Sequence, residues 1–193
     1  MSDNLDAYSF IYRGMLTQEA LDSAGRTKAK THDMADAEIG GLLSLDTLNE
    51  DFVADARGMA IVYTAIAAFE NSVRNLVSST LLENKGANWW TECVSEKIRT
   101  AAEKRLEEER KVRWHVQRGD DPIQFTMLPN LLNIIRQNTD CFEPFIPDVE
   151  WAASIFDVIE KSRNVIMHSG RLNRRDVARL GTHLRDWSAQ ITV

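Results

Sequence analysis

Between Val62 and Leu81 the apolar residues Val62, Ile66, Phe69, Val73, Leu76, Val77 and Leu81 recur at steps of three and four or their sums. That spacing returns to one face of a helix at every turn and does not match the alternation of a half-buried strand. Strand alternation is absent elsewhere too. The chain holds nine glycines and four prolines in 193 residues, and the prolines fall at breaks between periodic segments. A chain of this length can bury one sizeable core. Helices with a single apolar stripe must bury those stripes against one another, so the expected fold class is all-α: an up-and-down bundle of four to five core helices.

The segments follow from start and stop signals. Residues 1–45 are expected to form an N-terminal helical arm, with Tyr8, Phe10, Ile11 and Leu16 in a short helix and Asp22–Glu38 as a polar helix or an extended arm. The bundle domain is expected over 46–193. Asp46 is a candidate N-cap, with Glu50 in the turns that follow. Asn84–Asn88 closes that helix, and Trp89-Trp90 is expected to cap an edge of the core. Ser95–Arg118 reads as a second, densely charged helix facing water, with acid–base pairs three and four apart. Gly119–Pro122 is a turn. A third helix is expected near Met127–Asn138, and a fourth from Asp148 with Trp151, Ile155, Ile159 and Ile166 on it. Asn173 with Asp176 three residues on resembles a capping box that opens the last helix.

The net charge of −6 argues against broad coating of nucleic acid. Its distribution is uneven. Residues 161–193 carry seven basic and two acidic side chains, leaving −11 on the other 160 residues. A basic end on an acidic chain can hold a polyanion at one place, although such an end can also be a solvated face. Cys93 and Cys141 are too few and too far apart for a disulfide framework or a zinc site and are expected to be reduced core thiols. The acidic start, Met1–Asp6, does not read as a signal peptide, and no run of eighteen apolar residues occurs, so no membrane partner and a cytoplasmic location are expected. No histidine–carboxylate spacing suggests a metal, and no glycine-rich phosphate loop occurs; no cofactor is expected.

Two charges interrupt apolar ridges. Four-residue steps along the fourth helix run Trp151, Ile155, Ile159 and then Arg163. Glu70 lies on the Ile66, Phe69, Val73, Val77 stripe. A lone buried charge costs several kcal/mol, so each needs a partner. Either Glu70 pairs with Arg163, or it pairs with Arg74 one turn on. A purely structural role suffices for Glu70; a functional one has it orient Arg163 at the mouth of a cleft. Beside the ridge runs a polar stripe containing Asp157, Asn164 and His168. Arg163 and His168 are five residues apart, about 140° around an ideal helix, so they do not converge tightly within one chain. A two-fold axis near this helix would gather two arginines and two histidines around one cleft.

The segment Arg163-Asn164-Val165-Ile166-Met167-His168 resembles the Arg-(Asn/Asp/His)-x-x-x-His signature of the HEPN superfamily, which lies, as here, late in the chain before a final helix. The wider chain is similar to the Swt1-like HEPN branch in Glu70-x-x-x-Arg74, Trp89-Trp90, the Leu131–Gln137 segment and His168-Ser169-Gly170, over about residues 57–193. The resemblance implies a dimeric helical bundle that cuts RNA without a metal, leaving 2′,3′-cyclic phosphate ends. It implies His168 as general acid or base, Arg163 as the stabiliser of the phosphorane charge, and Asn164 as an orienting amide. Glu70 would support Arg163. Arg171, Arg174 and Arg175 would hold flanking RNA phosphates. It further implies a restraining inhibitor or antitoxin and a toxin–antitoxin or antiviral setting. The family also contains members that bind without cutting. Many HEPN toxins partnered with a nucleotidyltransferase carry a modified Tyr two residues after the His; Gly170 stands there in this chain.

The other histidines have plainer readings. His115 follows Trp114 at the end of a charged segment and reads as a surface or packing feature; His183 reads as core-edge packing, and His32 falls in the arm. Asp120-Asp121 reads as a solvated turn.

Overall fold

In the computed structural model, Thr17, Ala20, Leu21 and residues 34–191 are described. The short helix expected around Tyr8–Leu16, His32, and most of the polar Asp22–Glu38 stretch lie outside them. The fold is an all-α helical bundle, and no strand occurs among the described residues. The helices are α1 (Asp36–Leu42), α2 (Glu50–Lys85), α3 (Trp89–Cys93), α4 (Glu96–Arg110), α5 (Leu128–Gln137), α6 (Thr139–Phe142), α7 (Val149–Met167) and α8 (Arg174–Ile191), with 3₁₀ turns at Leu45–Thr47 and Pro122–Phe125. The chain divides into two compact units, residues 1–53 and 54–193. In the first, α1 has no buried residue, and Leu42, Leu43, Leu48 and Phe52 are exposed.

The second unit holds the core. From α2 come Val62, Ile66, Phe69, Val73, Val77 and Leu81, all buried, which is the stripe that the periodicity marked. Leu131, Ile134 and Ile135 of α5 and Ile155, Phe156 and Ile159 of α7 join the same cluster. Its aromatic centre is Trp187 of α8. The Phe69 and Phe156 rings meet it edge-on at 5.3 and 5.5 Å, and Trp151 stacks on it at 6.1 Å. A smaller cluster of Ala102, Leu106 and Phe125 sits under Trp90, so Trp90 seals an edge of the core.

Helix starts follow short-range chemistry. Asp148 Oδ1 accepts from the Glu150 and Trp151 amides, and Asn173 Oδ1 accepts from the Asp176 amide, each satisfying an otherwise orphaned helix N–H. Before α2 the cap differs from expectation. Asn49, not Asp46, receives the Phe52 amide at 3.2 Å, because residues 45–47 close a 3₁₀ turn of their own.

Two further expectations are corrected. The second helix ends at Arg110, not Arg118. Its buried stripe of Ile98, Ala102 and Leu106 stops there, and Val112, Trp114 and Val116 then alternate in exposed positions, which no longer rewards a helix. That stripe also means α4 does not simply face water. Finally, α2 contains an 18-residue window of mean hydropathy 1.4 with no more than two charges, of which 17% is buried. Charges and uncharged polar residues interrupt the window, so it contains no unbroken apolar run. Length and composition therefore allow this one helix to cross a membrane, as they do for many helices that supply a bundle core.

Cys141 is buried, Cys93 is half-buried, and both are free thiols. Burial pushes the Cys93 thiol above its ordinary value.

Candidate active site

Arg163 lies on the last full turn of α7 and Glu70 midway along α2. Arg163 Nε sits 3.0 Å from Glu70 Oε1, and Arg74 Nη2 sits 3.2 Å from Glu70 Oε2. Both pairings open to Glu70 from the sequence are thus made at once, one per carboxylate oxygen. The Glu70 and Arg74 side chains are only 13% exposed, so the carboxylate answers two guanidinium groups in a largely dehydrated place. Arg74 reaches across the fold through Nη2, which donates to the Thr126 carbonyl, while Nη1 donates to Asn71 Oδ1 on its own helix.

These residues line a cleft of about 200 Å³ between α2, α4, α7 and the segment after the Pro122 turn. Arg105 and Arg118 line it too, together with Glu160 and the apolar Phe125, Met127, Leu128 and Pro129. Arg105 Nη1 donates to the Phe125 carbonyl at 2.8 Å. Arg118 lies over the Phe125 ring, 4.5 Å from its centroid. Glu109 holds Arg118 by both its backbone N–H, at 2.6 Å, and its Nε, at 2.7 Å. Those two bonds pull the Glu109 carboxyl below its ordinary value. Neither Arg105 nor Arg118 was marked from sequence. The only local signal was basic residues interleaved with Trp114 and His115, which is weak.

Asn164 and His168 are exposed and do not line this cleft. His168 is the C-cap of α7, where the helix closes in a Schellman motif: the Ser169 amide donates to the Ile166 carbonyl and the Gly170 amide to the Val165 carbonyl. Ser169 takes the left-handed conformation, with φ of 59°. A Cβ on Gly170 would lie 2.8 Å from both Val165 Cγ1 and the Val165 oxygen, so the cap excludes any larger side chain there. The imidazole of His168 has no hydrogen-bond partner among the described residues. The structure thus brings Arg163 and Glu70 together and leaves Asn164 and His168 on the neighbouring surface.

The three basic residues expected to hold RNA differ from one another. Arg171 pairs with Asp55 at 2.7 Å, while Arg174 and Arg175 are exposed and have no ion-pair partner among the described residues. Asp120 pairs with Arg110, and Asp121 caps the 3₁₀ turn through the Ile123 amide. The His115 ring packs edge-on against Trp114 at 5.6 Å, and His183 is half-buried. Among the described residues no cluster of three or more His, Cys, Asp or Glu could hold a metal ion.

No family model, curated protein or solved structure matches the chain. Residues and geometry therefore carry the functional argument.

Proposed function

We propose that the protein is a cytoplasmic, metal-independent endoribonuclease of the HEPN type, acting as a homodimer whose active site takes residues from both chains. One observation carries this reading. Near the end of α7 a guanidinium is fixed by a largely buried carboxylate, and five residues on an imidazole stands exposed, with no hydrogen-bond partner among the described residues.

In the proposed reaction the ribose 2′-oxygen attacks the adjacent phosphorus in line, and the bond to the 5′-oxygen breaks. One His168 imidazole takes the 2′-hydroxyl proton, and the leaving 5′-oxygen takes a proton from an imidazolium, that of the partner subunit or of the same chain. The product ends are a 2′,3′-cyclic phosphate and a 5′-hydroxyl. Arg163, its Nε anchored on Glu70, offers its two terminal nitrogens to the nonbridging oxygens as charge accumulates. Asn164, on the same face as His168, would orient the imidazole or the phosphate. DNA lacks the nucleophile and would not be cut. The resemblance to HEPN toxins adds a protein inhibitor and a toxin–antitoxin or antiviral setting.

The test is incubation of total RNA with the purified protein in EDTA, alongside His168→Ala. Cleavage that persists in chelator, leaves cyclic phosphate ends and disappears in the variant supports the reading. Equal cleavage by the variant sinks it. A second reading, a helical module that binds nucleic acid without cutting, is favoured by the exclusion of Asn164 and His168 from the cleft that Arg163 lines. A folded dimer that binds RNA and leaves it intact would favour that one.

A further inference from the structure

The cleft beneath Arg163 holds more positive charge than its own structure consumes. Four guanidinium groups line it against two carboxylates, Glu70 and Glu160, and a third, Glu109, pairs with Arg118 from outside the lining, so one positive charge is left over. Four like charges around about 200 Å³ repel one another, and an anion would relieve that repulsion. Donors are also left over. Arg163 and Arg118 each spend Nε on a carboxylate, and their terminal nitrogens have no partner among the described residues. Arg74 Nε is buried and has no hydrogen-bond partner among the described residues, which is costly for a group of this kind.

Size and surroundings narrow the ligand. Small-molecule pockets run to roughly 300–1,000 Å³; this one is smaller and suits a phosphate with part of its sugar. The segment leading to Arg118 presents Trp114, 87% exposed, among Lys111, Arg113 and Arg118. An exposed ring set among cations is a platform on which a base of a single strand can stack. Resting on the ribonuclease reading, we propose that the cleft seats a backbone phosphate of the bound single-stranded RNA, flanking the one that is cut. Arg105 and Arg118 are its ligands, Arg163 at the rim is left for the phosphate that is cut, and Trp114 stacks a neighbouring base.

The experiment is fluorescence anisotropy of the full chain with a labelled 2′-O-methyl oligoribonucleotide, which cannot be cleaved, over a range of salt. Arg118→Gln should weaken binding about tenfold and flatten the slope of log K against log salt by about 0.7, the value for one phosphate contact on a single strand. Glu160→Gln should tighten binding, because it removes a carboxylate facing the same anion. Trp114→Ala should weaken binding without changing the slope. Lys104→Gln, an exposed charge on α4 outside the cleft, should change affinity far less than Arg118→Gln. Binding unchanged by both Arg118→Gln and Glu160→Gln overturns the proposal, as does an equal loss from Lys104→Gln. Circular dichroism melting of each variant separates lost contacts from lost fold. The two readings fail separately: a chain that shows this pattern but never cuts loses only the nuclease assignment, and one that cuts while these variants bind normally loses only the cleft.

Discussion

Glu70 Oε1 and Arg163 Nε lie 3.0 Å apart, and this contact joins the middle of α2 to the end of α7. The same carboxylate holds Arg74, whose Nη2 in turn holds the Thr126 carbonyl. One acidic side chain thus organises three parts of the cleft. Glu70→Gln keeps the shape but leaves two guanidinium groups without their counter-charge. The expected cost is about 1–3 kcal/mol, since the carboxylate is largely buried while Arg163 is partly solvated. Urea unfolding followed by circular dichroism measures it. A change within a few tenths of a kcal/mol would mean that solvent replaces the carboxylate and that Glu70 organises nothing.

Trp187 closes the core from α8 with Phe69, Phe156 and Trp151 around it. It is 1% exposed, and its Nε1 has no hydrogen-bond partner among the described residues. Trp187→Ala should cost about 3–5 kcal/mol through the cavity it opens. Trp187→Phe should cost clearly less, about 1–2 kcal/mol, because the ring is kept and an unsatisfied N–H is removed. The same denaturant titration ranks them. Equal costs would mean that a phenyl ring fills the site no better than a methyl group does.

Much of the bundle was legible because its signals are local. The α2 stripe, the Asp148 cap and the Asn173 cap each need only a few neighbouring residues to be recognised. Glu70 and Arg163 were legible for a related reason: a charge on an apolar ridge must find a partner, and few partners were on offer. What escaped depends on contacts distant in sequence. The end of α4 at Arg110 is set by where the core stops, and the arginine cleft is assembled by Arg105 reaching the Phe125 carbonyl and Arg118 folding back onto Glu109. The separation of His168 from that cleft was foreshadowed by the helical angle between positions 163 and 168, which is a property of one helix alone.

Glu109 gives a dependence on acid. Its carboxyl is held below its ordinary value by the Arg118 backbone and side-chain N–H groups. A depressed carboxylate contributes stability above its unfolded value, and that contribution fades as pH falls through the folded one. The return of the chain from Arg110 to Gly119 should therefore loosen in acid below the ordinary carboxylate range. Glu109→Gln should be looser already at neutral pH and should lose less on acidification. Hydrogen exchange at the Arg118 amide reads this directly. An amide protected equally in both proteins at neutral pH would discard the clamp.

The site composition has a sharper test in mixed dimers. Arg163→Ala and His168→Ala should each be inactive alone, with the loss for His168→Ala on the order of 10²–10⁴-fold as for removal of a general acid–base group. If an active site needs Arg163 from one chain and His168 from the other, a dimer of one of each variant has one site with both residues intact and one with neither. Random mixing makes about half the dimers mixed, so about a quarter of the wild-type sites return. If both residues act within one chain, no mixed dimer contains an intact site and mixing restores nothing. The same silence follows if all four side chains are needed around a single axis, and tandem-linked dimers tell these cases apart. One wild-type copy joined to a double variant keeps half the activity or more in the single-chain case and none in the four-residue case. The 140° between the two positions on an ideal helix, and the place of His168 outside the cleft that Arg163 lines, lead us to expect recovery on mixing.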